Sequence, residues 1–417
     1  MGRTPGQLYT FYARHKFPHC SYQNAAGNGP VPFGPTVDRW NTGHFLDTAE
    51  FAAAFGLAYD WLYNALIDTQ KAQIRDTLIQ YALAPGLAVF TGTTSYGWWA
   101  NNITGNWNCV CNSGLTIASL AILGDDTTGT ASQLLDYTVN NAKQNCAFAT
   151  VDDGTWTETA NYWYFGTTAH AEMSSSLLTA TGSDYGLLDV NSNFQLSGKF
   201  HMFVFGATSL FNYGDTGPNK FSTTANAMFL YADHYNQPSY SLFQREQSDA
   251  ADPSSMFWYN PAVSGAFWDG QPLDYFFDNA LDQWVSMRSS WTDENALYVA
   301  MKAGQLQNHQ THNDMDIGDF VLDAIGTRWA GELGSGDYNS INYFSNDTQD
   351  SDRWSYYRKS MEGQNTLGIG NNQNVLATPT VNYGSSQTVQ GSSTVFIVPS
   401  DSTAYWTTDM TTAYFSA

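Results

Sequence analysis

Positive charge is scarce in this sequence, which holds 16 Lys and Arg against 38 Asp and Glu in 417 residues, a formal net charge of -22. Nucleic-acid binding draws much of its affinity from Lys and Arg that displace counterions, and an anionic membrane surface attracts basic segments. The composition therefore excludes nucleic acid and such a membrane as partners. Long apolar runs are also missing, because none approaches the roughly 18 residues that span a bilayer.

Cysteine is sparse as well. The four cysteines, Cys20, Cys109, Cys111 and Cys146, are too few for a disulfide scaffold and lack the paired spacing of a zinc ribbon. One bridge from Cys109 or Cys111 to Cys146 is compatible with the spacing, and buried free thiols are the alternative.

The low lysine content and two sequons, which begin at Asn102 and Asn346, favour a secreted protein. The first residues lack the apolar segment of a signal peptide. We therefore expect that any export signal is not part of this sequence. Nothing in the sequence indicates an oligomeric state.

Aromatic residues are abundant by contrast, with 25 Tyr, 25 Phe and 14 Trp. Aromatic faces suit sugar rings, which present C–H faces and hydroxyl rims. Large cores use aromatic residues too, so composition alone leaves both explanations open.

The apolar pattern changes character along the chain. A stripe with spacings of three and four predicts a helix over 44–66, and further helices are predicted over 68–82 (with Asp68 as N-cap), 112–123, 131–144 and 158–179. From Val285 onward, short strands predominate, at 297–301, 319–322, 394–398 and, at the end, 411–415. We predict a helical toroid or solenoid over 1–283 and an antiparallel β domain over 284–417 that is incomplete at its C-terminus.

Three segments depart from simple core patterning: 98–112, rich in Trp and Asn; 152–166, with Glu158 and Tyr162; and 308–320, with His309 and His312. Amides near a helix start are typical of helix capping. Stacked aromatic residues are typical of a core, and an acidic loop is typical of a solvated surface. The alternative is that amides, indoles and phenols line a substrate-binding cleft, because amide N–H groups bind a carboxylate without a formal charge.

Together these segments resemble the heparinase II/III family of polysaccharide lyases, whose members join an incomplete (α/α) toroid to an antiparallel β-sandwich. The similarity extends over nearly the whole chain from Phe45. The matching motifs, in order, are Phe45–Glu50, Tyr59–Tyr63, Asn106–Asn112, Asp153–Tyr162, Phe211–Asp215, Arg288–Trp291, the His312 segment, Arg328–Gly334 and Gly363–Leu367.

The resemblance implies roles for three residues in a β-elimination. Asn106 falls where relatives carry the amide that neutralises the uronate carboxylate. Tyr162 falls where they carry the tyrosine that acts as acid and, in many, also as base. His312 matches a β-domain histidine, which we assign to substrate binding or proton transfer. Some relatives place a histidine after the amide, whereas this chain has Trp107.

The same resemblance, with the polar and aromatic character of the segments, predicts a set of residues that bind substrate. The predicted substrate-binding residues are Trp99, Trp107, Asn108, Glu158, Tyr164, His309 and Arg353.

No cofactor is expected for the chemistry, but the resemblance implies a structural metal position. Zinc-containing relatives use two histidines and an aspartate, where this chain has Asp314, Glu332 and Gln364. Oxygen ligands favour calcium or magnesium over zinc. The alternative is a metal-free, hydrogen-bonded cluster.

The expected partner is an acidic polysaccharide. Sulfated glycosaminoglycans require clustered Arg and Lys, so an unsulfated uronan such as alginate or glucuronan is the better expectation. Two alternatives stay open: a glycoside hydrolase that uses Asp153 and Glu158 as acid and base, and a non-catalytic sugar-binding protein.

Overall fold

The computed structural model describes residues 40–92, 94–103, 105–216, 225–247, 253–279, 283–305, 312–346, 351–369, 390–399 and 403–414. The predicted site residue His309 and Cys20 lie outside these ranges. The chain forms two compact units, one made of Met1–Phe148 with Phe165–Asn191 and the other of Ala149–Tyr164 with Ser192–Ala417. These units divide the chain differently from the predicted segments 1–283 and 284–417, and that boundary stays a prediction. Within the described ranges, no helix is long and apolar enough to cross a membrane.

The first unit is helical. Its helices are α1 (Phe45–Trp61), α2 (Asp68–Leu78), α3 (Ala84–Phe90), α4 (Asn106–Ile122) and α5 (Thr130–Gln144), and the π-helical turn Ile79–Leu83 joins α2 to α3. Helix α6 (Ala160–Thr181) begins in the second unit and continues into the first.

Helices α1 and α4 approach each other closely because glycine stands at their crossing. A Cβ added at Gly114 would lie 2.1 Å from the Ala49 carbonyl oxygen, and one at Gly56 would lie 2.9 Å from Ala118 Cα. Glycine costs about 1 kcal/mol relative to alanine inside a helix. In return, these glycines allow the backbones of α1 and α4 to contact each other.

Two predicted helix starts are corrected. Helix α2 begins at Asp68 itself, with Ile67 as its N-cap, and Gln70 caps the turn because its side-chain oxygen accepts a hydrogen bond from the Ile67 N–H at 3.1 Å. Helix α4 begins at Asn106 rather than near Asn112, directly after Gly105, whose positive φ of 130° favours glycine.

A polar network fixes the start of α4. The Asn108 amide donates to the Trp99 carbonyl (3.0 Å) and to Asn141 Oδ1 (2.8 Å), and its oxygen accepts from the Cys146 N–H (3.1 Å). The disulfide Cys109–Cys146 joins α4 to the segment after α5, while Cys111 is a buried free thiol.

The second unit contains the β structure. After α7 (Ser197–Val204), α8 (Ala227–His234), α9 (Pro238–Arg245) and α10 (Ser255–Trp258) come strands β1 (Tyr275–Phe277), β2 (Trp284–Arg288), β3 (Tyr298–Lys302), β4 (Gly304–Gln305), β5 (Phe320–Ala324), β6 (Thr327–Ala330), β7 (Gln390–Ile397) and β8 (Tyr405–Asp409). An antiparallel sheet has the order β1-β2-β3-β5-β6, and β4-β7-β8 form another. The predicted strands over 297–301, 319–322 and 394–398 correspond to β3, β5 and β7.

The predicted strand over 411–415 is wrong for its described residues. Thr411–Tyr414 is a 3-10 helix, closed by a hydrogen bond from the Ala413 N–H to the Met410 carbonyl at 2.9 Å. Ala413 and Tyr414 are buried in an apolar cluster with Met315, Ile317, Trp354 and Met361. Tertiary packing of these two side chains outweighs the strand preference of the local sequence.

We predict that replacing both Cys109 and Cys146 by Ser lowers the free energy of unfolding by about 4 kcal/mol, because the bridge closes a long loop in the unfolded chain, with a sequence separation of 37 residues. Denaturant unfolding measured with and without reductant tests this. Cys111→Ala is the control, and its unfolding must keep the dependence on reductant. Equal unfolding of oxidised and reduced wild type would contradict the prediction.

Candidate active site

Two phenols and an imidazole meet in the second unit. The Tyr162 and Tyr338 hydroxyls are 2.5 Å apart. The Tyr162 ring stacks on His312 with centroids 3.7 Å apart and an angle of 16° between the planes. Both tyrosines are partly exposed, whereas His312 is 8% exposed. The imidazole is therefore more shielded from solvent than either tyrosine.

Tyr162 lies in the first turn of α6, where its N–H donates to the Thr159 carbonyl at 3.0 Å. Burial raises the pKa of Tyr162 well above its usual value, and the negative charges of Asp215 and Glu158 raise it further. The hydrogen bond with Tyr338 acts in the opposite direction. Tyr162 is thus a protonated phenol whose phenolate has a hydrogen-bond donor beside it.

His312 is oriented by Asp215, whose Oδ2 lies 3.0 Å from His312 Nδ1. Burial would raise the pKa of Asp215, but the Lys359 ammonium and the His312 hydrogen bond outweigh burial and hold that pKa low. Because Asp215 is a carboxylate, Nδ1 is the donor. Burial lowers the pKa of His312, against the opposing effect of Asp215. The ring is therefore neutral at pH 7, with Nε2 as its acceptor nitrogen.

A glycine brings Asp215 to His312. Gly214 has φ of +63°, and a Cβ there would lie 2.6 Å from the His312 carbonyl oxygen. This turn allows the Asp215 N–H to donate to the same carbonyl at 2.9 Å. Backbone and side chain of Asp215 both hold His312, and any residue larger than glycine at 214 would separate them.

Lys359 supplies the positive charge of this cluster. Its Nζ lies 2.8 Å from Asp215 Oδ1 and 2.9 Å from Asp314 Oδ1, and it donates to the Asn313 carbonyl at 3.1 Å. The side chain is 1% exposed, and Tyr343 adds a hydroxyl donor to Asp215 Oδ1 at 2.6 Å. Three oxygens thus surround one buried ammonium.

The predicted metal ligands belong to the same cluster. Gln364 donates its amide to Asp314 Oδ2 at 3.3 Å, and both Glu332 carboxylate oxygens accept from the Gly334 N–H at 3.1 Å. Since Lys359 contacts Asp314 Oδ1, both oxygens of Asp314 face donors. In the described part of the chain, no three His, Cys, Asp or Glu residues are grouped to hold a metal.

As placed, Asp314, Glu332 and Gln364 contact groups of the protein itself. Their contacts are those of the hydrogen-bonded alternative. Burial raises the pKa of Asp314 to about 7, partly offset by Lys359. Burial also raises the pKa of Glu332 well above its usual value. A calcium or magnesium ion at these residues stays a prediction.

The predicted residues of the first unit fall into two groups. Asn106, the first residue of α4, is 2% exposed, and Trp107 is partly exposed. Asn108 and Trp99 are each 0% exposed. Asn108 uses its amide inside the unit, and Trp99 packs against Phe45 with centroids 5.2 Å apart. The predicted substrate-binding roles of Asn108 and Trp99 are corrected to packing, because neither side chain offers surface to a ligand.

The remaining predicted residues lie in the second unit. Glu158 is 1% exposed, accepts from the Trp156 indole at 3.1 Å, and lies 4.0 Å from His312 Nε2, beyond hydrogen-bond distance. Tyr164 is partly exposed. Arg353 is 1% exposed, so its predicted contact with substrate is corrected to a buried charge, which lowers the pKa of His312.

Solved structures of similar fold include those of heparinase III. A crystal structure of heparinase III aligns with 94% of this chain and 52% of its own, at a TM-score of 0.57 and 12% identity. The fold is that of heparinase III. A second heparinase III, with methylated lysines, covers 86% of this chain and 47% of its own at a TM-score of 0.52 and 11% identity.

The likeness to heparinase III confirms the predicted fold class, an (α/α) toroid with an antiparallel β-sandwich. This chain spans about half the length of the heparinase III chains that it matches, at 52% and 47%. No protein-family model and no curated protein sequence matches the chain.

Several residues of the site were not predicted. Asp215 ends the predicted motif Phe211–Asp215, so the sequence contained an indication of it, although no role was assigned. Lys359 is one of few cations, but nothing in its neighbours marks it as buried. Tyr338 and Tyr343 are two of 25 tyrosines, and no local pattern distinguishes them.

We predict that Lys359→Met lowers the free energy of unfolding by about 3–5 kcal/mol, because it leaves two buried carboxylates without their cation. Adding Asp314→Asn to that variant should recover part of the loss, since one carboxylate is then neutral. Lys143→Met on α5 is the control and should change stability by less than about 0.5 kcal/mol. Denaturant unfolding measures all three, and a Lys359→Met variant as stable as the control would show that the pairs contribute nothing.

Proposed function

We propose that this chain is a polysaccharide lyase that cleaves a uronic-acid polymer by β-elimination. The observation that carries the proposal is the partly exposed phenol of Tyr162, stacked on a neutral histidine and hydrogen-bonded to a second phenol. The heparinase III fold supports it, because the two solved structures of this fold named above are heparinases by name.

β-Elimination moves two protons and no net electrons. A base removes the C5 proton, the C5–H electron pair forms the C4–C5 double bond, the C4–O4 bond breaks, and an acid protonates the departing O4. In the proposal, the reactive form of Tyr162 is the phenolate, which forms when the resting phenol loses its proton to solvent: its oxygen accepts the proton from C5 and then returns that proton to O4, which regenerates the phenolate. Tyr338 stabilises the phenolate before the first transfer and after the second by donating to it across 2.5 Å.

His312 assists without being charged. Its stacking on Tyr162 limits rotation of the phenol, and the Asp215 contact fixes the imidazole orientation. A neutral ring also leaves Nε2 able to accept a hydrogen bond from a sugar hydroxyl. We assign His312 to substrate binding and to the orientation of Tyr162.

Removing the C5 proton requires that the uronate carboxylate be neutralised, and the assignment of this role to Asn106 stays a prediction from the resemblance, because the residue is 2% exposed. Asn106 is the first residue of the 17-residue helix α4. The N–H groups of a helix start and the positive end of its dipole favour an anion. The Asn106 amide and these N–H groups would act together, so the proposed chemistry takes no step through a metal.

We further propose that the polymer is unsulfated, with alginate and glucuronan as the first candidates, and that the protein is secreted. Cations that could pair with sulfate are few, and Lys302, Lys359 and Arg353 are each 1% exposed or less.

We predict that Tyr162→Phe abolishes formation of ultraviolet-absorbing product, because the C4–C5 double bond forms only when the phenol oxygen carries the protons. The assay is absorbance after incubation with alginate, glucuronan, hyaluronan and heparan sulfate. Tyr185→Phe, at a 50% exposed tyrosine, is the matched control and should keep wild-type rates. An equally active Tyr162→Phe would remove this residue from the mechanism, and reducing ends without ultraviolet absorbance would indicate hydrolysis.

We predict that Tyr338→Phe lowers kcat about tenfold and moves the limb of the pH–rate profile that reports Tyr162 to higher pH. The Tyr338 hydrogen bond lowers the pKa of Tyr162, so its loss raises that pKa. The measurement is kcat against pH for wild type and variant on the best substrate of the panel. An unchanged profile would show that Tyr338 does not influence Tyr162.

A further inference from the structure

Two tryptophans of the first unit form an exposed pair. The Trp98 and Trp107 rings lie 4.7 Å apart between centroids at an angle of 46°. Trp98 is 52% exposed and Trp107 is partly exposed. Two neighbouring indoles on a surface form a broad apolar area with polar N–H edges, which the unit does not use for its core.

The contrast with the adjacent residue makes this exposure informative. Trp99 is 0% exposed and packs between Phe45 and Phe90. The short 3-10 helix Trp98–Asn101 therefore points the Trp98 indole outward and the Trp99 indole into the core. Burying the Trp98 ring would stabilise the fold, so its outward position is a cost that binding of a ligand would offset.

Packing against His44 and the fixed start of α4 hold Trp107 in place. The His44 ring meets Trp107 edge-on at 4.8 Å, and Asp47 lies 3.3 Å from His44 Nδ1 and accepts from Asn41 at 2.7 Å. Trp107 is the second residue of α4, whose start is fixed by the Cys109–Cys146 disulfide. Rings fixed before binding lose little entropy when a ligand arrives.

Positive charge is missing from this part of the sequence. Residues 40–70 and 76–142 contain no Lys or Arg. A sulfate group binds through Arg and Lys, whereas an indole face binds the C–H face of a sugar. The chemistry of the pair therefore fits an uncharged or weakly acidic sugar ring and does not fit a sulfated one.

We propose that Trp98 and Trp107 form a stacking platform for an unsulfated sugar residue of the polymer. Trp107 follows Asn106 in the chain, so the platform and the predicted carboxylate-binding residue both lie at the start of α4. This step rests on the proposed function. Because the platform touches a sugar that does not react, it contributes to substrate affinity far more than to the chemical step.

The test compares Trp98→Ala and Trp98→Phe with Trp61→Ala, a control at an equally accessible tryptophan of the same unit, which is 61% exposed. Binding of alginate, glucuronan and heparan sulfate oligosaccharides is measured by calorimetry in the Tyr162→Phe background. KM and kcat are measured with Tyr162 intact, and thermal unfolding checks each variant's fold.

We expect Trp98→Ala to weaken binding of an unsulfated uronan and raise KM about tenfold, with kcat within about twofold of wild type. Trp98→Phe should lie between the two, and Trp61→Ala should match wild type. Unchanged binding in Trp98→Ala, or an equal loss in Trp61→Ala, overturns the platform. Heparan sulfate binding that depends on Trp98 overturns its preference for unsulfated sugars.

The outcomes separate this inference from the proposed function. If ultraviolet-absorbing product forms and Trp98→Ala leaves KM unchanged, the platform is refuted and the lyase proposal stands. If binding depends on Trp98 but no such product forms, the lyase proposal is refuted and the platform stands. No binding of any polymer in the panel by wild type removes both.

Discussion

The ion pair between Lys359 and Asp215 is the interaction on which the candidate site depends. Asp215 is fully buried, and a carboxylate there is tolerated only with a cation beside it. With Asp215 ionised, His312 has a fixed donor nitrogen and a fixed plane, and Tyr162 has a flat surface to stack on. The neutral state of the histidine and the protonated state of the phenol both follow from this burial. The protonation states of Asp215, His312 and Tyr162 in the second unit therefore depend on one another.

Much of the fold could be predicted because its periodicities are local. The stripe in α1 and the short alternating segments at β3, β5 and β7 are visible within a dozen residues. The start of α4 was placed too late because Asn106, Asn108 and Asn112 look like loop residues, whereas in the structure the Asn112 amide donates to the Asn108 carbonyl at 2.8 Å within the helix. The end of the chain was misjudged for the opposite reason, since burial of Ala413 and Tyr414 is decided by residues far away in sequence.

The candidate site could be predicted only in part. Tyr162 and His312 were identified through the order of motifs, and the structure brings them together. Lys359 and Tyr338 could not be found this way, because the role of each depends on a residue far away in sequence. Lys359 pairs with Asp215, 144 positions away (359 minus 215), and Tyr338 bonds to Tyr162, 176 positions away (338 minus 162). The oxygen-rich set Asp314, Glu332 and Gln364 suggested a cation, and the structure places the Lys359 ammonium 2.9 Å from Asp314 Oδ1. A sequence can show that a charge is required without showing which residue delivers it.

The position of Cys111 has a consequence for how the protein must be produced. It stands two residues from Cys109 on α4, is a buried free thiol, and competes with Cys109 for Cys146 within the described part of the chain. Residues two apart on a helix point to nearly opposite faces, so a bridge from Cys111 would rotate α4 about its axis and turn Asn106 and Trp107 away from their native directions. An oxidising host without disulfide isomerase would therefore yield two covalent forms of equal mass. Peptide mapping of the purified material would distinguish the native isomer from the scrambled one.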